Sequence, residues 1–286
     1  MKFGKSEKMR NGPRNPAPFE GARPGGASEG VMSKDVKDHF IAMTGEFVGT
    51  TLFLWFAFSA TQIANNTPPS ETSALDRLLF ISLTFGFSLA VTAWCFYRVS
   101  GGLFNPAVTL GLCLAGGLPW IRGGLLFIPQ MLGGMVAAGL VACMFPGPLM
   151  VATTLSEGTS TAQGLFIEAF LTFLLMITVL FLAAEKTKAT FIAPVGIGLA
   201  LFVAELTAFT GVNFTGGSLN PTRSFGPNVA TREFEVNHWI YWLGPAIGAS
   251  AAAGYYRFAK YMHYEEANPG QDQANQSFED GHDRQH

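Results

Sequence analysis

The chain carries "SGGLFNPAVTLG" at residues 100–111 and "TGGSLNPTRSFG" at residues 215–226, two segments that share the pattern Gly-Gly-x-x-Asn-Pro. Their asparagines are Asn105 and Asn220, so the spacing, 220 minus 105, is 115 residues. Proline is favoured at the first helical position and asparagine is a leading helix N-cap, so each Asn-Pro pair predicts the start of a helix. A single Asn-Pro needs no further explanation, but two aligned copies indicate an internal repeat.

The composition around these motifs is typical of a membrane protein. Of the 286 residues, 49% are hydrophobic and 13% are charged, whereas about a quarter of the residues in a soluble domain are charged. A transmembrane helix needs about 20 mostly apolar residues. Six segments meet that length, at residues 40–62, 78–97, 124–145, 162–184, 189–209 and 238–256.

The two apolar pieces that hold the motifs, 101–117 and 214–230, are too short to span a bilayer and are interrupted by Gly and Pro. We expect each to form a re-entrant half-helix, because non-helical backbone is tolerated at membrane depth where it lies inside protein or lines a cavity. Three spans per half would place the second half upside down relative to the first, so the half-helices would meet near the middle. The predicted fold is an all-α membrane protein with six transmembrane helices and two half-helices in an inverted repeat.

The polar ends of the chain set the predicted domain boundaries. We expect the transmembrane domain over residues 39–262, with repeat one at 39–145 and repeat two at 162–262. Residues 1–38 and 263–286 are polar and are predicted to be disordered tails. Lys and Arg in the first tail and in the links after the second and fourth spans place both termini in the cytoplasm by the positive-inside rule.

The meeting point of two helix N-termini predicts a pore centre. Each N-terminus contributes about half a positive charge, which opposes the passage of cations and protons. The carboxamide oxygens would cap the half-helices, and the NH₂ groups would face the lumen. The predicted pore-centre residues are Asn105, Pro106, Ala107, Asn220, Pro221 and Thr222. Glu46 and Glu168, at corresponding places in the first and fourth spans, are predicted to bond the backbone of the half-helix loops.

These residues resemble the major intrinsic protein family, the aquaporins. The resemblance covers about residues 40–261 and rests on "GEFVGTTLF", the two Asn-Pro motifs and "NHWIYWLGP". It implies the fold predicted above, homotetramers and one pore per subunit. The long polar N-terminal segment is similar to that of fungal members.

The resemblance also implies a selectivity filter of four residues. Three positions correspond to Phe85, Gly217 and Arg223. The fourth, in the fifth span, is Glu205 when that span is aligned with the family and Ala208 when residues are counted back from the second motif. The two results differ because this chain carries a few extra residues between the span and the motif. Glu205 is expected either to approach Arg223 and narrow the pore or to bond backbone at the end of its helix.

Several positions bear on what passes through the pore. Ser224, Tyr241 and Trp242 are typical of the water-channel type. Thr222, where the family usually has Ala, adds a hydroxyl and a methyl near the predicted centre, and Asn228 also departs from the water-type pattern. Together with the missing filter histidine, these departures keep glycerol and other small neutral solutes as an alternative.

The predicted function is therefore a passive, osmotically driven water channel that excludes protons and ions, in the plasma membrane, with water and lipid as its partners. A structural or adhesion protein with a poorly conducting pore is the alternative from another class. We predict no enzyme, no cofactor and no metal, because the sequence has no nucleophile–base pair, metal cluster or phosphate loop. The basic N-terminal residues lack a folded module around them, so no nucleic-acid partner is expected. His238 is expected to be a cap or interface residue rather than a pH sensor.

Overall fold

The computed structural model describes residues 33–185, 190–208 and 214–267, and within them every regular element is helical, with no strand. The helices are α1 (Lys34–Asn66), α2 (Ala74–Phe96), α3 (Pro106–Ala115), α4 (Trp120–Met144), α5 (Thr161–Val179), α6 (Ala193–Ala208), α7 (Pro221–Thr231), α8 (Ile240–Tyr261) and α9 (Tyr264–Ala267). A π-helical turn (Leu180–Ala184) extends α5, and a 3₁₀ turn (Thr190–Ile192) precedes α6. The predicted order of six long helices and two half-helices, α3 and α7, is confirmed.

Five of the long helices in the described residues are both long and apolar enough to cross a membrane: α1, α2, α4, α5 with its π turn, and α6 with its 3₁₀ turn. Helix α8, the sixth, has 22 residues but is less apolar. It is rich in Gly, Ala and Ser and carries Arg257 and Lys260 near its end. Its small residues are suited to close packing inside a bundle.

Two of the spanning helices begin at a capping box. At the start of α2, the Asp76 N–H donates to Ser73 Oγ at 3.1 Å and the Ser73 N–H donates to Asp76 Oδ2 at 3.2 Å. At the start of α5, Ser160 and Gln163 exchange the same pair of bonds, at 3.2 and 2.8 Å. These caps satisfy N–H groups that the first turn leaves unpaired, so both spans start sharply after a loop.

The helices pack in pairs that follow the inverted repeat. Half-helix α3 packs against α8, the last span of the second half, and α7 packs against α4, the last span of the first half. Helices α2 and α6, second in each half, pack on each other through Gly86 and Gly198. A Cβ on Gly86 would lie 2.7 Å from the Gly198 carbonyl oxygen, and one on Gly198 would lie 2.5 Å from the Gly86 oxygen. Only glycine allows this approach of the two backbones.

The helical structure extends into both predicted tails. Helix α1 begins at Lys34, inside the predicted tail 1–38, and α9 lies inside the predicted tail 263–286. A helix bonds its own backbone, so it needs no apolar side chains to continue beyond the bilayer. The rest of the two predicted tails, 1–32 and 268–286, lies outside the described residues.

Candidate functional site

The loops before the two half-helices repeat the same unusual backbone. The two glycines of each motif have positive φ, a region that glycine enters without strain. Their φ values are +105° and +66° in the first loop, at Gly101 and Gly102, and +79° and +60° in the second, at Gly216 and Gly217. Phe104 and Leu219, which directly precede the asparagines, also have positive φ, +51° and +52°. Because bulky residues rarely adopt this conformation, surrounding contacts must hold both loops.

The carboxylate of Glu46 accepts the N–H groups of the first loop. Leu103 N and Phe104 N donate to it at 3.0 and 2.7 Å. Ser100 Oγ and Gln130 Nε2 donate at 2.6 and 2.8 Å. The carboxylate is fully buried, so these four bonds replace the water that it would otherwise hold. Sequence reasoning missed Gln130, although a glutamine in an apolar span is a visible signal.

Glu168 makes the corresponding contacts in the second half. Its two oxygens accept Ser218 N at 2.9 Å and Leu219 N at 2.8 Å, and the side chain is fully buried. Ser218 and Leu219 lie 115 positions after Leu103 and Phe104, the spacing of the two motifs. In each half of the chain, a buried glutamate therefore accepts two backbone N–H groups of the loop before the half-helix.

The two half-helices meet through Asn105 and Asn220. Asn105 Oδ1 caps α3 by accepting Ala107 N at 2.8 Å, and Asn220 Oδ1 caps α7 by accepting Thr222 N at 3.0 Å. Each Nδ2 then donates one hydrogen across to the loop of the other half. Asn105 Nδ2 donates to the Leu219 carbonyl at 2.8 Å, and Asn220 Nδ2 donates to the Phe104 carbonyl at 2.9 Å. One N–H of each carboxamide therefore stays available to the lumen, rather than both.

A cavity of about 300 Å³ passes this meeting point. Its lining includes both asparagines and reaches from Ala184, at the end of the π turn, to Arg223. Most of the remaining lining is apolar, with side chains such as Leu89, Val108 and Leu175. The polar side chains of the lining are those of the two asparagines, Glu205 and Arg223, together with Tyr97, Ser100 and Ser218.

Arg223 is held rigidly at one end of the cavity. It is 1% exposed, and its guanidinium donates to three carbonyl oxygens. Nε donates to Gly217 O at 3.0 Å, Nη1 to Val151 O at 2.6 Å and Nη2 to Gly216 O at 3.5 Å. Its Cζ also lies 5.1 Å from the ring centre of Phe85, within cation–π range. Backbone carbonyls leave no sequence signal, so the contact with Val151 was not predictable.

The cavity lining includes two more of the predicted filter positions, Phe85 and Glu205. Gly217 itself does not belong to the lining, although its neighbour Ser218 does. Ala208, the other candidate in α6, is buried in the hydrophobic core, and its carbonyl accepts Phe214 N at 3.1 Å. It is absent from the lining, whereas Glu205, nearly one turn earlier, belongs to it. The geometry thus favours Glu205 for the fourth position.

Thr222 lies on the side of α7 that faces away from the cavity. Its Oγ1 donates to Met131 Sδ of α4 at 3.1 Å, and its methyl packs against Gly134, where a Cβ would lie 2.3 Å from it. Successive residues of an α-helix are rotated by about 100°, so Arg223 and Thr222 cannot face the same way. The expected position of the Thr222 hydroxyl and methyl near the pore centre is therefore not what the structure contains.

We predict that Thr222→Val leaves the ratio of glycerol to water permeability within about twofold of the wild type, because the changed atom contacts α4 only. Loss of the bond to Met131 should lower the free energy of unfolding by about 1 kcal/mol or less. Flux measurements in vesicles and a thermal unfolding curve check both numbers. A large change in solute preference would show that this side chain reaches the permeation path.

Of the three residues typical of the water-channel type, Tyr241 and Ser224 bond the second loop, and none of the three lines the cavity. Tyr241 Oη donates to Thr215 O at 2.9 Å, and Ser224 Oγ lies 2.6 Å from Ser218 Oγ. Trp242 Nε1 donates to His238 Nε2 at 3.2 Å, so His238 is a hydrogen-bond partner of α8 just before that helix begins. Asn228 Nδ2 donates to the Glu233 carbonyl near the end of α7.

Comparison with known proteins points to one family. The family model described as Major intrinsic protein matches residues 33–256. Aquaporin-7 of Botryotinia fuckeliana (strain B05.10) is 57% identical over 248 residues, which cover 84% of this chain and 54% of that protein. Probable aquaporin-3 of Gibberella zeae is 56% identical over 239 residues, 82% of each chain.

A solved structure has the same fold. The X-ray structure of the aquaglyceroporin from Plasmodium falciparum matches with a TM-score of 0.63 over 76% of this chain and 95% of that one, at 22% identity. This chain spans about half of the length of two of the fungal relatives, 54% and 46%.

Two half-helices that meet inside a bundle of spanning helices, beside a polar-centred cavity, define an integral membrane channel. The chain belongs to the major intrinsic protein family, as the resemblance of its motifs predicted. The members of this family are transport channels rather than enzymes.

Proposed function

We propose that this chain is a passive water channel that excludes protons and other ions. The observation that carries the proposal is the reciprocal contact of Asn105 and Asn220, each of which caps its own half-helix and donates to the loop of the other. The aquaporin names of its fungal relatives agree with this assignment.

The asparagine pair would orient water at the pore centre. Each carboxamide has one N–H left for the lumen, so a water oxygen can accept two such bonds at this level. The N-termini of α3 and α7 add about half a positive charge each, so the water hydrogens point away from the centre on both sides. A water molecule held in this way cannot pass a proton along a continuous chain of hydrogen bonds, and cations meet an electrostatic barrier.

Phe85, Glu205, Gly217 and Arg223 form the proposed selectivity filter. A buried arginine at membrane depth is costly and normally faces a cavity or a partner. Here its guanidinium is fixed by three carbonyls and the Phe85 ring, a geometry that supports a narrow and rigid passage. Glu46 and Glu168 are the proposed supports of the half-helix loops, through the bonds described above.

The proposal extends to the membrane, the orientation of the chain and its oligomeric state. We propose that the channel lies in the plasma membrane. The distribution of Lys and Arg among the links supports the proposal that both termini lie in the cytoplasm. A homotetramer with one pore per subunit is proposed from family membership. Residues 39–262 would form the channel domain.

A facilitator of glycerol or other small neutral solutes is the second candidate. It is favoured by the proposed filter itself, because none of Phe85, Glu205, Gly217 and Arg223 is a histidine.

Stopped-flow light scattering of proteoliposomes tests the proposal. We expect osmotic water permeability well above that of empty vesicles and glycerol permeability near the empty-vesicle value. Glycerol flux comparable to water flux would favour the second candidate. Water permeability equal to that of empty vesicles would contradict both.

A further inference from the structure

Gln62, near the end of α1, is a polar residue that is only 1% exposed. Its carboxamide bonds the backbone of the segment between α4 and α5. Nε2 donates to Pro148 O at 2.8 Å, and Oε1 accepts Met150 N at 2.8 Å. Both polar atoms of this side chain are therefore used on residues that lie 86 and 88 positions away in the sequence.

The two bonds fix the direction of the segment as well as its position. Pro148 O and Met150 N face the Gln62 side chain on α1. The carbonyl of the next residue, Val151, faces α7 instead, where Arg223 Nη1 donates to it at 2.6 Å. In an extended chain the peptide groups of successive residues alternate in direction, as they do in a β-ladder. Holding residues 148 and 150 against α1 therefore turns the carbonyl of residue 151 toward the guanidinium.

Two tethers bracket the Val151 carbonyl. The bond pair of Gln62 lies before it in the sequence. After it, Thr153 Oγ1 donates to Ser224 Oγ of α7 at 2.7 Å, and Thr153 is 2% exposed. The side chain of Val151 is fully buried between these two points. The carbonyl that accepts the shortest bond of the Arg223 guanidinium thus belongs to backbone that is held on both sides.

Two neighbouring amides bind the same segment but are open to water. Asn65 Nδ2 donates to Met150 O at 2.7 Å, and Asn66 Nδ2 donates to Pro146 O at 3.1 Å. Asn65 is half-buried and Asn66 is exposed, so water can replace their bonds when the side chain is removed. Gln62 is shielded from solvent, and a polar group left unpaired in a shielded position is costly. Of the three amides, Gln62 is therefore the one that water cannot replace.

We propose that Gln62 is a positioning residue of the permeation path, which holds Arg223 in place through the backbone of residues 148–151. Gln62 does not line the cavity, so its effect passes through the Val151 carbonyl. This inference rests on the proposed function, because Arg223 belongs to the proposed filter. Without the two bonds of Gln62, the carbonyl and the guanidinium can move together, and the passage widens for solutes larger than water.

The first test removes both bonds and keeps an unbranched side chain of similar length. Gln62→Met should raise the ratio of glycerol to water permeability about fivefold, because a displaced arginine discriminates less against the larger solute. After subtraction of the empty-vesicle flux, this ratio does not depend on how many channels are folded, so a merely structural role would leave it unchanged. Asn66→Ala removes an exposed bond to the same loop and, as the matched control, should keep the wild-type ratio. An unchanged ratio in Gln62→Met would overturn the proposal.

The second test asks whether Gln62 acts through Arg223. In the Arg223→Ala background, Gln62→Met should change the ratio of glycerol to water permeability by less than about twofold, because the group to be positioned is gone. The same increase in both backgrounds would contradict the positioning of the arginine.

Gln62→Asn is the milder second variant. It keeps the carboxamide but withdraws it from the loop by one methylene, so the ratio of glycerol to water permeability should rise here as well. Each protein is compared as a single species in size-exclusion chromatography. Loss of monodisperse protein in both Gln62 variants would overturn the proposal in favour of a purely structural role.

Hydrogen exchange keeps this inference distinct from the proposed function. Because Met150 N donates to Gln62 Oε1, exchange of this amide should be about tenfold faster in Gln62→Met than in the wild type. The measurement requires no flux through the pore. Unchanged exchange would overturn the inference even if the wild type conducts water. Faster exchange together with a wild type that conducts no water would support the inference and contradict the proposed function.

Discussion

Asn220→Asp and Asn105→Asp are each expected to lower osmotic water permeability at least about tenfold, through the loss of a buried hydrogen bond and the arrival of a negative charge. The remaining side-chain oxygen can still cap the half-helix, so the substitution spares the cap. It replaces the N–H that donates across to Phe104 O or Leu219 O, at 2.9 and 2.8 Å, by an acceptor facing an acceptor. The two loops should then separate at the point where their contact shapes the lumen.

Asn65→Asp is the matched control for this experiment. Asn65 Nδ2 also donates to a carbonyl of a distant segment, Met150 O at 2.7 Å, but it lies at the end of α1 outside the cavity lining. We expect near wild-type water permeability for this control, measured by stopped-flow in proteoliposomes at matched protein content. If the Asn105 and Asn220 variants behave like the control, the asparagine contact is not part of the permeation path.

Arg223→Ala is expected to raise the ratio of glycerol to water permeability by about tenfold or more, since it removes several methylenes and a guanidinium from the lining of the cavity. The substitution leaves three carbonyl oxygens, of Val151, Gly216 and Gly217, without their donor. Those oxygens can accept bonds from the hydroxyls of a larger solute. Both effects, more space and more acceptors, favour glycerol.

Arg98→Ala controls for the loss of an arginine as such, because Arg98 is exposed after α2 and does not line the cavity. The measurement is the pair of water and glycerol permeabilities for each protein in the same lipid. Unchanged glycerol exclusion in Arg223→Ala would remove this residue from the filter. A simultaneous loss of water flux and of monodisperse protein would instead identify a structural role.

The paired features of the two halves were predictable from sequence. The 115-residue spacing of Asn105 and Asn220 predicted two half-helices that begin at the asparagines, and both helices begin there. The matching positions of Glu46 and Glu168 predicted bonds to the half-helix loops, and the structure contains such bonds. An internal repeat supplies two observations of each feature, and this is why the pattern was informative.

Features that occur in only one half of the chain, or that depend on the direction in which a side chain points, were less predictable. The orientation of Thr222 toward α4 follows from its rotation relative to Arg223 around α7, which a motif comparison does not include. The choice between Glu205 and Ala208 depended on the length of the segment after α6, and residues 209–213 of that segment lie outside the described residues. The contact of Arg223 with the carbonyl oxygen of Val151 depends only on the path of the backbone, because every residue has a carbonyl group.

The most direct test of the account measures water and proton flux together in the same proteoliposomes. An osmotic step reports water by light scattering, and a pH-sensitive dye inside the vesicles reports protons under an imposed pH gradient. The account predicts water permeability well above that of empty vesicles, with proton flux equal to theirs. Water permeability at the empty-vesicle level, or proton flux that rises with water flux, would contradict a proton-excluding water pore centred on Asn105 and Asn220.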